Sequence, residues 1–206
     1  AKYPNAQWLT YDAISYSGML LANEASYGKR ALPAYHFENA KTIVSLGADF
    51  LGTWLSPTEF AKQYAQGRRV SAKNLEMSKH YHVEANHTIT GAAADERATC
   101  KPSQIGAVAV ALYNAIQTGA TPNLGTEKLN TLVKNAAADL KKGNGLVVAG
   151  SNDVAVQTVV NAINSAVGAN GTTVNWAVTS NYKQGIDADF VGLVQAMNAG
   201  QVDTLI

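Results

Sequence analysis

Cysteine is nearly absent: one residue, Cys100, stands in 206, so the chain can close no internal disulfide and build no cysteine-ligated zinc or iron–sulfur site from its own side chains. Long apolar runs are missing too. No stretch approaches the ~20 residues that span a bilayer, and residues 1–4 resemble neither a signal peptide nor an amphipathic anchor. Charge of one sign is not in excess: sixteen Lys+Arg stand against fifteen Asp+Glu, a net charge of +1. With no basic stripe interleaved with aromatics, this balance argues against a nucleic-acid partner. Gly-x-Ser-x-Gly, the P-loop and Gly-x-Gly-x-x-Gly do not occur, nor does a short repeat or a low-complexity tract. The composition, 47% hydrophobic and 15% charged, is that of a globular chain able to bury a core in one large domain or two small ones.

The apolar pattern alternates between period 2 and period 3.6, the grammar of βα units in a layered sandwich. Thr42 to Leu46 is short, apolar and β-branched, and Gly47-Ala48-Asp49 closes it, which predicts a buried parallel strand. A first strand is expected at residues 7–11, a helix from Ser17 to Tyr27 closed by Gly28, and a loop over residues 32–38. Ser56-Pro57-Thr58-Glu59 places an N-cap serine, a proline at the first helical position and a glutamate three after the cap, so a helix starts there and ends near Gly67. Residues 68–73 read as a solvated connection and residues 80–85 as a strand. Pro102 opens a helix with Ile105, Ala109, Leu112 and Ile116 on one face, and residues 119–125 are linker-like. Beyond them come helix 126–142, strand 146–149, helix 153–167, strand 173–176, helix 189–199 and a last strand at Val202. The expected architecture is α/β and doubly wound, with largely parallel sheets in two Rossmann-like halves, residues 1–118 and 126–206, in three layers. The strands at Thr42, Leu146, Thr173 and Val202 should be parallel and buried. A chain that stops on such a strand reads as a piece of a longer polypeptide, in which residues beyond Ile206 would stabilise that last strand.

Ligands of such folds bind at the carboxyl ends of the strands. Gly47, Ala48 and Asp49 are therefore candidates: Asp49 either hydrogen-bonds a nucleotide or caps backbone amides. Gly150-Ser151-Asn152-Asp153 lies between a strand and a helix and offers amides of the kind that hold phosphate, although Asp153 would repel an anion and capping by Asn152 or Ser151 competes. His80, His82 and Glu84 share one strand face and could hold a metal, or be ordinary half-exposed strand residues. Asp95-Glu-Arg97 has the acidic and basic groups of a catalytic cluster, although a surface ion pair beside the turn is the better account. Cys100 has no base placed beside it. Trp8, Trp54 and Trp176 read as packing groups, with Trp54 either in the core or across the mouth of the crevice. Asn86-His-Thr88 and Asn170-Gly-Thr172 match the glycosylation acceptor pattern.

Several of these segments, taken in order, resemble a known superfamily. Glu38-Asn-Ala-Lys41 leads into the strand and Gly47-Ala-Asp49; Ala94-Asp95 is followed by Lys101-Pro102 and a helix; Met197-Asn-Ala-Gly200 precedes Val202-Asp-Thr-Leu205. This order is similar to that of molybdopterin oxidoreductases. Ser45-Leu-Gly-Ala-Asp-Phe-Leu-Gly-Thr-Trp-Leu-Ser-Pro57, with Tyr11-Asp-Ala-Ile-Ser-Tyr16 upstream, looks most like the large iron–sulfur subunit of alternative complex III. The resemblance implies a non-catalytic scaffold region, with Gly47, Ala48, Asp49, Asp95, Gly150 and Ser151 as a vestigial cofactor pocket. It also implies no cofactor in this stretch, iron–sulfur clusters elsewhere in the parent chain, and partner subunits of a respiratory quinol-oxidising complex on the periplasmic side of a bacterial inner membrane. Two other readings stay open: a molybdopterin guanine dinucleotide pocket of an active molybdoenzyme, and a generic small-molecule-binding α/β domain.

Overall fold

The computed structural model describes Pro4, residues 6–72 and residues 75–206. The first three residues and the last residue of the 68–73 connection lie outside the described residues.

Helix α1 (Ser17–Tyr27) ends at Gly28, whose φ of +68° is open to glycine at no steric cost, and the Gly28 amide donates to the Glu24 carbonyl. Strand β1 (Leu32–Tyr35) follows where a loop was expected, and a short 3-10 turn leads into β2 (Thr42–Leu46), every residue of which is buried. Helix α2 (Pro57–Gly67) starts on its proline, but the Ser56 side chain makes no capping bond. Strand β3 (Lys79–Glu84), the one-turn helix α3 (Ile89–Ala92), β4 (Glu96–Thr99) and α4 (Ile105–Thr118) complete the first series. Helix α5 (Glu127–Leu140), β5 (Gly145–Ala149), α6 (Val154–Ala166), β6 (Val174–Ser180) and α7 (Asp187–Asn198) form the second.

The strands β4, β3, β2 and β5 lie side by side in that order, all parallel, in one sheet. Chain order along it is third, second, first, fourth, which is the doubly wound arrangement. Helices α4, α5 and α6 bury Val44, Leu46, Val83 and Val147 on one face of the sheet. On the other face α1, α2, β1 and the loop after β2 bury Ile43, Leu146 and Val148. The result is a three-layer α/β sandwich, as expected, and both segments of the chain contribute strands to its single parallel sheet.

Besides the loop that became β1, the unused Ser56 cap and β4, which no pattern marked, four expectations fail. Residues 6–11 form no strand. The strand at Val174 leaves the parallel sheet and pairs antiparallel with β1, and its pattern is mostly exposed because only one end reaches the core. Residues 202–206 form no strand and are largely exposed, because α7 hands them to solvent rather than to a sheet edge. The histidines of β3 are fully buried rather than half exposed, since helices or loops cover both faces of a parallel sheet.

The sheet ends at β5 because side chains occupy its outer edge. Asn164 on α6 accepts from the Val147 amide at 3.0 Å and donates to the Val147 carbonyl at 2.8 Å, standing in for a neighbouring strand. Gln157 donates to the Ala149 carbonyl at 3.0 Å and Thr173 to that of Gly145 at 2.7 Å. All three side chains are buried, so the edge is satisfied and closed.

Candidate functional site

Chain order reverses between β2 and β5, and the space outside their carboxyl ends is where folds of this kind place a ligand crevice. Its floor is backbone: Gly47 (φ +71°) ends β2 and Gly150 ends β5, and both are exposed. A β-carbon on Gly150 would stand 2.2 Å from the Gly47 carbonyl oxygen, so the two turns approach as only glycine allows. On one side α1 presses its first turn against the loop after β5, where the Gly18 amide donates to Asn152 Oδ1 at 2.8 Å. On the other side stand the first turns of α4 and α6, with Ile105 beneath Gly47 and Gly106 close to Val156.

Of the residues picked from sequence, the fold brings Gly47, Ala48, Asp49, Gly150 and Ser151 to this end of the sheet. It does not bring Asp95. That residue precedes β4, at the opposite end, where its carboxylate takes Arg68 in a two-pronged pair (2.7 and 2.8 Å) and accepts the His80 amide at 2.7 Å. Asp95 is therefore not paired with Arg97, contrary to the expected surface ion pair. Asp49 is already engaged: Oδ1 accepts from the Thr90 hydroxyl at 2.6 Å and the Thr90 amide at 3.2 Å, which ties the loop after β2 to α3. Ala48 is buried, its amide and carbonyl both bonded to Ser45 Oγ. Asp153, not Asn152 or Ser151, caps α6 through the amides of Ala155 and Val156. Asn152 serves α1 and donates to Asp187 Oδ2 at 3.0 Å, joining α1, α6 and α7 around the crevice. No local signal could have shown this, because its partners lie far away in sequence.

Trp54 is core: it is 4% exposed and packs on Tyr35 and Phe60, so it does not cover the crevice mouth. Trp8 is 95% exposed. Trp176 donates to Asn170 Oδ1, which occupies one of the two glycosylation-pattern asparagines.

A second constellation lies within the fold along β3. His80, His82 and Glu84 point to one face and are at most 2% exposed. The Tyr64 hydroxyl donates to the Ala93 carbonyl at 3.0 Å, so it accepts from His80 Nδ1 at 3.2 Å. Glu84 Oε2 accepts from His82 Nε2 at 3.0 Å and from the Thr88 hydroxyl at 2.7 Å, while Oε1 takes Arg97 Nε. These partners leave His80 Nε2 and His82 Nδ1 as bare lone pairs, and neither has a hydrogen-bond partner. Burial, with help from the neighbouring His82 and Arg68, pushes the His80 imidazole down to about 3. Burial also lowers His82, against the pull of Glu84. Burial pushes the Glu84 carboxyl up, but Arg97, Thr88 and His82 outweigh it and hold it below the usual range. Space for that carboxylate depends on Gly91, where a β-carbon would stand 1.9 Å from Oε1. Among the described residues no group of three or more His, Cys, Asp or Glu side chains is placed to hold a metal. Cys100 is half-buried at the end of β4, its thiol pushed up by burial.

No family model and no curated protein matches the chain. Among solved structures it is similar in fold to a chain of the formyltransferase/hydrolase complex of Methylorubrum extorquens, solved with methylofuran. The likeness covers 90% of this chain with a TM-score of 0.51 and 12% identity, and this chain spans 49% of that one's length. At that identity the likeness is one of fold. It overturns the molybdopterin oxidoreductase and alternative complex III resemblance, and with it the scaffold role in a respiratory iron–sulfur subunit. The physical reason lies in the residues that carried it. The Asp49 carbonyl accepts the loop amides of Gly52, Thr53 and Trp54 while its carboxylate holds Thr90, Lys101-Pro102 opens a helix through a 3-10 turn, and Gly200 follows α7 at φ +69°. These are turn and cap residues that any βα fold requires, so their order carries fold and not family.

Proposed function

We propose that this chain is a small-molecule-binding α/β module whose ligand sits in the crevice over Gly47 and Gly150. The observation that carries the reading is the pair of exposed, side-chain-free turns at the one place where strand order reverses. The crevice supplies backbone and helix first turns on both sides, and Ser151 as its nearest hydroxyl. With the Gly18 amide already bonded to Asn152 and those of Ala155 and Val156 to the Asp153 carboxylate, such a lining favours a small polar ligand held by the turns themselves. Gly47, Ala48, Asp49, Gly150 and Ser151 would shape the site, Asp49 by holding its loop through Thr90. The module works beside other protein parts: α7 has no buried residue and leaves Val191, Val194 and Met197 exposed, and the similar fold occurs in a component of a complex. No helix among the described residues is long and apolar enough to cross a membrane.

Titrating isotope-labelled protein with nucleoside phosphates, sugar phosphates and dicarboxylates tests the reading. Saturable shifts confined to the amides of Gly47, Gly150, Ser151 and Asn152, and lost in Ser151→Glu, are expected for one of these classes. Shifts elsewhere on the surface, or none with any class, would overturn it.

A further inference from the structure

The crevice makes no use of the buried row Tyr64, His80, His82 and Glu84, which lies beneath the loop of residues 47–56 and α3. That cover is tied to β3 by side chains at Phe50 and Thr88, and its two parts are tied to each other through Thr90. Phe50 packs 5.2 Å from the His80 ring. The Leu51 amide donates to Thr90 Oγ1, and Thr90 donates to Asp49. Thr88 caps α3 by accepting the Gly91 amide and donates to Glu84. Of the hydrogen bonds that join β2, β3, β4 and β5, one reaches this cover, from the Gly47 amide at its start to the Val83 carbonyl at 2.7 Å.

We propose that His80 and His82 form an acid-triggered release: proton uptake by the two rings frees residues 47–56 and α3 from β3 while the parallel sheet stays folded. Each ring already spends its one N–H, on Tyr64 and on Glu84, so an added proton has only His80 Nε2 and His82 Nδ1 to occupy. Both nitrogens are buried, and neither has a hydrogen-bond partner.

The surrounding charges do not rescue an imidazolium. Facing His80 are Arg68, which follows the end of α2, and the second ring, His82, which oppose a positive charge, and Asp95 and Glu84, which favour it. The Tyr64 hydroxyl from α2 faces it as a neutral group. Facing His82 are Glu84 on its own strand and Asp49 from the loop, which favour the charge, and Arg97 from β4, which opposes it. Asp95 and Glu84 are already committed to Arg68 and Arg97. The rings therefore hold a charge only where water reaches them. The cover is the element that can admit it: α3 is one turn, and residues 47–56 form turns and bends rather than helix or strand.

Proton linkage sets the size of the effect. Below the ordinary histidine pKa of ~6.5, each proton taken up only by the open form raises its population up to about tenfold per pH unit, hence about a hundredfold for two.

Trp54 reports on the cover directly, since it lies in the loop and is buried against Tyr35 and Phe60. With Trp8→Phe and Trp176→Phe it is the only tryptophan left of the three. Acid titration followed by Trp54 emission and by far-ultraviolet circular dichroism should give two transitions. The red shift of Trp54 comes first, at least half a pH unit above the loss of secondary structure, and the Leu51 and Gly91 amides lose exchange protection with it. His80→Gln/His82→Gln should merge the two transitions. Should that variant not fold, imidazole carbon shifts of the native chain decide: His80 and His82 titrating at the Trp54 midpoint support the release. A native chain in which Trp54 emission, both imidazoles and circular dichroism all change at one pH would overturn it.

Discussion

At the scale of single residues, the crevice is defined by what is missing from two side chains. A methyl on Gly150 meets the Gly47 carbonyl at 2.2 Å, and both are backbone, so no rotamer change relieves the clash. Gly150→Ala should cost about 1–3 kcal/mol, the usual penalty for overpacking. Urea unfolding checks this, with a lower midpoint at unchanged slope expected. Trp54 makes the opposite kind of contribution, a large ring closed into the aromatic cluster with Tyr35, Phe60 and the Phe37 and Phe50 pair. Trp54→Ala should cost about 3–5 kcal/mol in the same experiment. A loss below ~1 kcal/mol would place the ring outside the core.

At the scale of elements, β5 shows how a strand can be an edge without behaving as one. Asn164 mimics a strand by accepting from and donating to Val147. Asn164→Leu keeps the branched shape but leaves a buried amide and carbonyl unpaired, at a cost of about 1–3 kcal/mol. An unsatisfied edge also recruits other chains, so the variant should sediment as larger species with rising concentration while the parent does not. Equal stability and equal sedimentation would show that α6 covers the edge by packing alone. The sheet's other edge, β4, is a four-residue strand carrying Glu96 and Arg97, a charged and short edge of the kind that resists such pairing.

At the scale of the whole molecule, the buried histidines set the acid limit. His80 is held near 3 in the fold and titrates at ~6.5 when unfolded, so its folded value is depressed. The unfolded chain therefore binds a proton that the fold refuses, and stability is full above ~6.5 and falls as pH drops from there toward about 3. The slope is on the order of 1.4 kcal/mol per pH unit from His80, with His82 adding in the same direction. Glu84 and Asp95 act in the same sense but later, because their carboxyls are lowered in the fold and lose that advantage only below the ordinary carboxylate range. Urea midpoints measured between pH 7.5 and 5.0 should already decline. A flat profile over that window would show that the two rings are charged in the native state.

Most of the strand-to-helix alternation from Thr42 to Asn198 was readable because binary patterning, glycine stops and Pro57 act within a few residues, and so were the helix bounds at Tyr27 and Gly67; the short α3 and the charged edge strand β4 were not, having no apolar run to mark them. The crevice glycines were readable for the same reason: a buried β-branched run closed by glycine marks the carboxyl end of a parallel strand. What the tertiary structure alone decided is which strands meet. The segment beginning at Val174 has the same local character as β2, yet it pairs with β1 because Asn164, Gln157 and Thr173 already fill the β5 edge. It also decided that Asp95 serves Arg68 at the far end of the sheet, that Asn152 holds α1, and that His80 and His82 are dry. Each of these depends on partners tens of residues away. The energy of a buried polar group is set by the distant atoms that do or do not pair with it, and local pattern carries no record of them.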